Sequence, residues 1–440
     1  MCTSPLHLHR PNLGFSFDVP CNDCLECRSA SQDSWVFRLG SDLDALYKRK
    51  GFAVFLTFTY NDKCLPHTDF GLRGEHVSCF SADDVSRFLN KIKVYMFREY
   101  GRDSYRYFWC SEYGKFTKRP HYHALFMLRR DVDFVLFCEK CRQYWQFGFI
   151  FPKYQNGRYV DNFGKATTPL LHCAQHACKY VCKYITKDLD FYELPTIKEY
   201  IDKRNTLPKD IRSHYNKRLP RHYQSKGIGH SFFGSCSTPH DLLECIEHGV
   251  VNPTNRRIVQ IPRYYVEKFA FSHNLVKIQG NNHVIRTLLD DFRYCVSRLH
   301  YHAYKSKLNR MQDFLATVNL PTLQRFGFNF SDLKFIKSCS HQLENVLVNR
   351  FVNDLSPKMR WYWYHLKMPF TLTSMVDFRM KLYDYDFDNF PEDFTFNPDA
   401  DRFFLIFNNV FLPLRSEVQK KRENEYIIQK KLRLISKGCL

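Results

Sequence analysis

No apolar run in the sequence approaches the ~20 residues that carry a helix across a bilayer, so no membrane span is expected. The opening residues, Met1-Cys2-Thr3-Ser4-Pro5-Leu6-His7, contain neither a charged region followed by an apolar run nor a small-residue cleavage site. A secretory signal is therefore not read here, and the cytoplasm is the expected compartment. No internal repeat is evident. Acidic residues are few: 45 Asp and Glu stand against 65 Lys and Arg, for a net charge of +20. That imbalance makes a polyanion the first partner to expect. Asp384, Asp386 and Asp388 alternate with aromatics, but the glycine that turns a calcium loop is missing, and they read as an acidic surface segment. Gly227-Ile228-Gly229 reads as a turn and alone carries no nucleotide signature.

Aromatics and thiols are plentiful. The 41 Phe and 27 Tyr, interleaved with Lys and Arg, supply a core and also stacking faces for unpaired bases. In a reducing compartment the 17 cysteines are thiols or metal ligands, and their odd number fits that better than a disulfide framework. Cys21, Cys24 and Cys27 form a C-x-x-C-x-x-C array, and Cys2 could complete a fourth thiolate if the chain folds back. Four such ligands would close a tetrahedral structural zinc site; reduced, partly buried thiols are the plain alternative, and an iron–sulfur cluster a further one. Cys138 and Cys141 with His172, Cys173 and His176 make a weaker second zinc candidate, because their spacing is irregular.

The stretch with most chemical content is Arg119-Pro120-His121-Tyr122-His123-Ala124-Leu125-Phe126-Met127-Leu128, a strand whose first residues carry two histidines. In a strand, residues i and i+2 share a face, so the imidazoles of His121 and His123 stand side by side as metal ligands can. Tyr105 to Gly114 reads as the preceding strand, joined by a short basic turn and so paired antiparallel, with Glu112 facing the histidines as a third ligand. Downstream, a helix over about His172 to Lys187 puts Tyr180 and Tyr184 one turn apart, with Lys183 and Lys187 beside them. A phenol can be a nucleophile when a metal polarises the phosphate it attacks; two packed tyrosines on an amphipathic helix are the bland alternative.

Around these motifs the periodicity predicts a helix over Ser31 to Lys50, a central strand over Gly51 to Asp62, and a helix entered by Ser81 with Val85, Phe88, Leu89, Ile92 and Met96 as its stripe. It further predicts a strand over Trp145 to Phe151, a polar loop over Tyr154 to Thr168, and a basic stretch over 202 to 230 that is either a solvated loop or a phosphate-contacting flap. Helical patterns follow over Thr287 to Thr317, Leu333 to Leu355 and Ser416 to Lys437.

Taken in order, these motifs resemble the HUH endonucleases, and within them the rolling-circle replication initiators of microviruses, the gokushovirus-like single-stranded-DNA bacteriophages. Phe55-Leu56-Thr57-Phe58-Thr59-Tyr60 looks like the first motif, Glu112-Tyr113-Gly114 with Arg119-Pro120-His121-Tyr122-His123 like the metal motif, and Tyr180 to Lys187 like the two-tyrosine motif. The Pro20 to Arg28 cysteine array, Gly227-Ile228-Gly229 and Ile261-Pro262-Arg263-Tyr264-Tyr265 are similar to residues of these phage proteins, so the likeness covers roughly 18 to 268. The resemblance implies an α+β fold: an antiparallel RRM- or ferredoxin-like sheet of four to five strands with packed helices, followed by a mainly helical carboxy-terminal region. It divides the chain into a Cys-rich segment and helix (1–50), the endonuclease core (51–190), a basic DNA-contacting segment (191–285) and the helical region (286–440). It implies that His121, His123 and Glu112 hold Mg2+ or Mn2+, and that Tyr180 or Tyr184 attacks single-stranded origin DNA in the host bacterial cytoplasm. A 5′-phosphotyrosine and a 3′-hydroxyl result, the latter for the host helicase and polymerase to use. A relaxase- or transposase-type HUH nuclease and a non-catalytic, zinc-stabilised nucleic-acid-binding protein are the rival readings.

Overall fold

The structure is a computed structural model, and it describes the chain apart from residues 1, 3–4, 11–14, 23, 73–75, 115–118, 162, 174–194, 205, 235, 254–255, 279–280, 384–397 and 436–440. The chain divides into two compact units: Ser29–Cys236 with Val250–Val259, and Met1–Arg28 with Ser237–Gly249 and Gln260–Leu440. The class is α+β, an antiparallel sheet with packed helices and a mainly helical carboxy-terminal region. Among the described residues no helix is long and apolar enough to cross a membrane.

The first unit is built on strand Phe52–Tyr60, whose aromatic and β-branched side chains suit a strand covered on both faces. Strand Pro120–Leu128 pairs with it on one side, followed outward by Tyr105–Tyr113 and His222–Gln224. On its other side Gly148–Phe151 and Leu170–Leu171 share the edge, which makes six strands in all. Every pairing is antiparallel.

Alternation then sorts the side chains. Val54, Leu56, Phe58, Trp109, Tyr122, Ala124 and Phe126 bury one face against helix Ala82–Tyr100, through the Val85, Phe88, Leu89, Ile92 and Met96 stripe, and against Phe137, Cys138 and Cys141 of helix Phe134–Tyr144. Ser81 begins the longer helix by accepting the Asp84 N–H at 3.3 Å, and Gly101 at φ 77° ends it. The opposite face, Ala53, Phe108, Cys110, Leu125 and Met127, packs on Trp35, Val36, Leu39 and Leu43 of helix Leu25–Lys48.

Asp42, on that helix, is buried and holds the Gly227-Ile228-Gly229 turn. Its carboxylate accepts the Gly229 N–H at 2.8 Å and the Ser231 N–H at 3.1 Å, and faces Arg106 at 3.4 Å. Both glycines have positive φ, 76° and 91°, which glycine adopts without steric cost.

In the second unit, hairpin Leu6–Arg10 with Phe15–Val19, hairpin Phe271–Ile278 with Asn281–Leu288, and a set of helices surround a core that includes Met311, Phe314, Trp363, Phe378, Phe403 and Phe407. Several sequence expectations are corrected here. The helix expected from Thr287 starts at Arg293, because the preceding residues pair as a strand with Phe271–Ile278. The helix expected over Leu333 to Leu355 is broken by a 3-10 turn at Cys339–Gln342. The final helix runs Pro398–Ile435 rather than starting at Ser416, since Phe403, Phe407, Val410 and Phe411 give it a buried stripe that continues past Pro413.

In the first unit, the expected polar loop after Tyr154 contains a hairpin, Lys153–Gln155 with Arg158–Val160. It turns on Asn156-Gly157, both at positive φ, as a two-residue hairpin turn requires. The basic 202–230 stretch holds helix Lys209–Asn216 and edge strand His222–Gln224. Asp384, Asp386 and Asp388 lie outside the described residues.

Removing the Asp42 carboxylate strands two turn N–H groups and an arginine. Asp42→Ala is expected to cost about 2 kcal/mol of unfolding free energy in urea titrations; a cost under about 0.5 kcal/mol would show that the turn does not depend on it.

Candidate active site

The register of three strands sets the site. Thr59, His121 and Glu112 are directly opposed in one row across the sheet, and Thr57, His123 and Cys110 in the next. Directly opposed residues share a face, so all six side chains project to the side away from Tyr122. Tyr122, between the two histidines, is fully buried on the other face. Its hydroxyl lies 3.1 Å from that of Tyr60 and accepts the Ser81 N–H at 3.0 Å, while the Tyr60 hydroxyl donates to Asp84 at 3.2 Å. Burial pushes both phenols well above the ordinary tyrosine range, so they are structural anchors and not nucleophiles.

His123 is held at both ring nitrogens. Nε2 is 2.5 Å from Glu112 Oε2 and Nδ1 is 3.0 Å from Thr57 Oγ1, with the ring stacked on Phe55 at 5.7 Å. His121 is different. Its Nδ1, and the Thr59 Oγ1 opposite, are buried with no hydrogen-bond partner among the described residues. Its other edge lies over Gly114, where an added Cβ would come within 2.8 Å of Nε2, so only glycine leaves room for the ring. Burial lowers the His121 pKa, with His123 and Arg119 adding to the effect against Glu112, so the imidazole is neutral at pH 7 and keeps a lone pair. Arg119 itself is occupied: its guanidinium donates to Tyr60 O at 2.8 Å and to Asp62 at 2.7 Å.

Two imidazoles, a carboxylate and two adjacent unsatisfied polar atoms suit a divalent cation with mixed nitrogen and oxygen ligation. Glu112 is turned onto His123, and the three do not form a set of donor atoms within 4.8 Å of one another. Among the described residues that closeness is reached by Cys2, Cys21, Cys24 and Cys27, in the other unit. Tyr180, Lys183, Tyr184 and Lys187 lie outside the described residues, as does His176. The second zinc candidate is not assembled: Cys138 and Cys141 are fully buried in the core under the sheet, where burial pushes the Cys138 thiol up to about 11.

Sequence reasoning missed Phe149. It opposes Thr59, so the row reads Phe149, Thr59, His121, Glu112, and Phe149 is 57% exposed. At about 4.8 Å per strand, it stands about 10 Å from His121 on the same face. Lys153 lies over neighbouring Phe151 at 5.6 Å, and the nearly fully exposed Phe163 sits on a loop held by Asp161 Oδ1, which accepts its N–H at 2.9 Å. The signal was available in the alternation of Gly148–Phe151, once that strand is placed beside Phe52–Tyr60.

Because folding lowers the His121 pKa below its ordinary 6.5, the unfolded chain binds the proton more readily, and stability from this group is present above pH 6.5 and lost as pH falls through the folded value. NMR of labelled histidine in chelator-treated protein should place the His121 midpoint below 6.5; a midpoint at or above it would contradict this environment.

No curated protein and no solved structure matches the chain. A family model of replication-associated proteins, the ORF2 type, matches residues 53–189. Those residues take in the central strand, the glutamate and histidine strands and the paired tyrosines. Over this stretch the chain is therefore similar to a replication-associated protein, consistent with a rolling-circle replication initiator of small single-stranded-DNA phages.

Proposed function

We propose that this protein is a metal-dependent tyrosine endonuclease that nicks single-stranded origin DNA to start rolling-circle replication. The observation that carries the reading is the row of Glu112 and His121 beside His123, with His121 Nδ1 and Thr59 Oγ1 buried and unsatisfied next to one another. Glu112, His121 and His123 would hold Mg2+ or Mn2+, which when bound supplies Lewis-acid polarisation of a phosphodiester. Thr57 fixes the tautomer and orientation of His123 from behind, and Gly114 leaves the space in which His121 is seated.

The nucleophile is Tyr180 or Tyr184. Its phenol oxygen forms a bond to phosphorus as the bond from phosphorus to the 3′ oxygen breaks; the phenol proton is lost and the departing oxygen takes one up as the 3′-hydroxyl. Lys183 and Lys187 lower the phenol pKa from ~10 or orient the phosphate. The 5′-phosphotyrosine conserves the bond, so a 3′-hydroxyl can attack it in reverse and rejoin the strand. Host helicase and polymerase would extend the first 3′ end, and the second tyrosine would cut the regenerated origin. Phe149 offers a ring on which an unpaired base near the scissile phosphate stacks, and Lys153 supports the backbone beside it.

With labelled origin-derived oligonucleotide and Mn2+, the protein should acquire covalent DNA on a denaturing gel. Tyr180→Phe with Tyr184→Phe should abolish the adduct, and retained cleavage would sink the assignment. His121→Ala should cut cleavage at least about a hundredfold while leaving salt-sensitive DNA binding. Gly114→Ala should raise the Mn2+ concentration for half-maximal cleavage about tenfold. Phe149→Ala should weaken single-strand binding about tenfold with that Mn2+ requirement unchanged; unaltered binding would remove Phe149 from the interface.

A further inference from the structure

A second cluster, in the other unit and independent of the nuclease reading, carries its own chemistry. Cys2, Cys21, Cys24 and Cys27 bring their sulfur atoms within 4.8 Å of one another. A tetrahedral ion with sulfur at ~2.3 Å places its ligands about 3.8 Å apart, and the sulfurs of Cys2 and Cys24 are 3.9 Å apart. That separation is nearly twice the ~2.05 Å of a disulfide. It also suits one ion better than a multi-iron cluster, whose cysteines spread over separate irons.

The backbone is arranged for sulfur as an acceptor. The Cys21 N–H donates to Cys2 Sγ at 3.3 Å and the Cys24 N–H to Cys21 Sγ at 3.2 Å, and such bonds favour the charged thiolate. Asn22, at φ 61°, turns the chain between the first two ligands of the array. Cys27 follows in the first turn of helix Leu25–Lys48, where the helix dipole favours negative charge. Cys2 and Cys27 are buried, while Cys21 and Cys24 are half-buried.

We infer that Cys2, Cys21, Cys24 and Cys27 bind one structural zinc ion. Four protein ligands leave no open position for substrate, so the ion is structural. Its work can be named from what lies between the ligands. Hairpin Leu6–Arg10 with Phe15–Val19 falls between Cys2 and Cys21, and a two-stranded hairpin is marginal by itself in water. Tying residue 2 to residues 21–27 closes the loop that contains it, which a small apolar contact could not do as strongly.

The test uses the full chain purified in reductant without added metal. Mercurial titration with a zinc-sensitive dye should release about one equivalent of zinc. Cys2→Ser and Cys27→Ser should lose it, Cys64→Ser should keep it, and His121→Ala, which disables the other site, should also keep it. The wild-type chain loaded with Co2+ guards against misfolded variants: it should show tetrahedral bands with thiolate charge transfer, reduced by about a quarter in Cys2→Ser. Chelator treatment should expose residues 2–27 to protease. Absence of stoichiometric metal, iron in place of zinc, a Cys2–Cys24 disulfide in fresh protein, or equal loss in Cys64→Ser would each overturn the assignment.

Discussion

The whole candidate site depends on strand register. Pro120–Leu128 is clamped between two partners, and a slip of one residue against either would carry both histidines into the helix-covered core and turn Tyr122 outward. The register is fixed from the buried side. Tyr122, Ala124, Phe126 and Leu128 are fully buried, and the Tyr122 hydroxyl is tied to Ser81 and Tyr60. Expelling that set would cost several buried side chains at about 1.5–3 kcal/mol each. Hydrophobic alternation on one face thus aims the polar chemistry on the other.

Within that frame the two histidines are treated unequally. His123 is bonded at both nitrogens, so its ring is oriented before any ligand arrives. His121 is kept neutral by burial and left with a nitrogen unsatisfied beside Thr59. A buried polar atom without a partner costs about 1–3 kcal/mol, a cost that an incoming ligand atom removes. The pair of side chains is therefore poised toward a cation at small reorganisation, with Glu112 needing to swing from His123.

Much of this was legible in the sequence because it rests on period-two alternation and short connections. The histidine pair, the facing Glu112 and the helix stripe from Val85 to Met96 all follow from local spacing, and the cysteine array was visible as a motif. What escaped was non-local. Phe149 belongs to the site's face only because Gly148–Phe151 pairs with Phe52–Tyr60, a choice of edge that no local pattern encodes. Asp42 lies on a helix face that reads as amphipathic, yet it receives the turn at Gly229 from 187 residues away. The reading of the last helix missed its start because Pro413 breaks the pattern by propensity, while the buried Phe403 to Phe411 stripe overrides it.

The most direct measurement is anomalous diffraction at the manganese edge from crystals of the full chain soaked in Mn2+. The account requires a peak within coordination distance of His121, His123 and Glu112, with the Glu112 carboxylate rotated off His123. No peak at these side chains under saturating Mn2+, or one bound only elsewhere on the molecule, would contradict it.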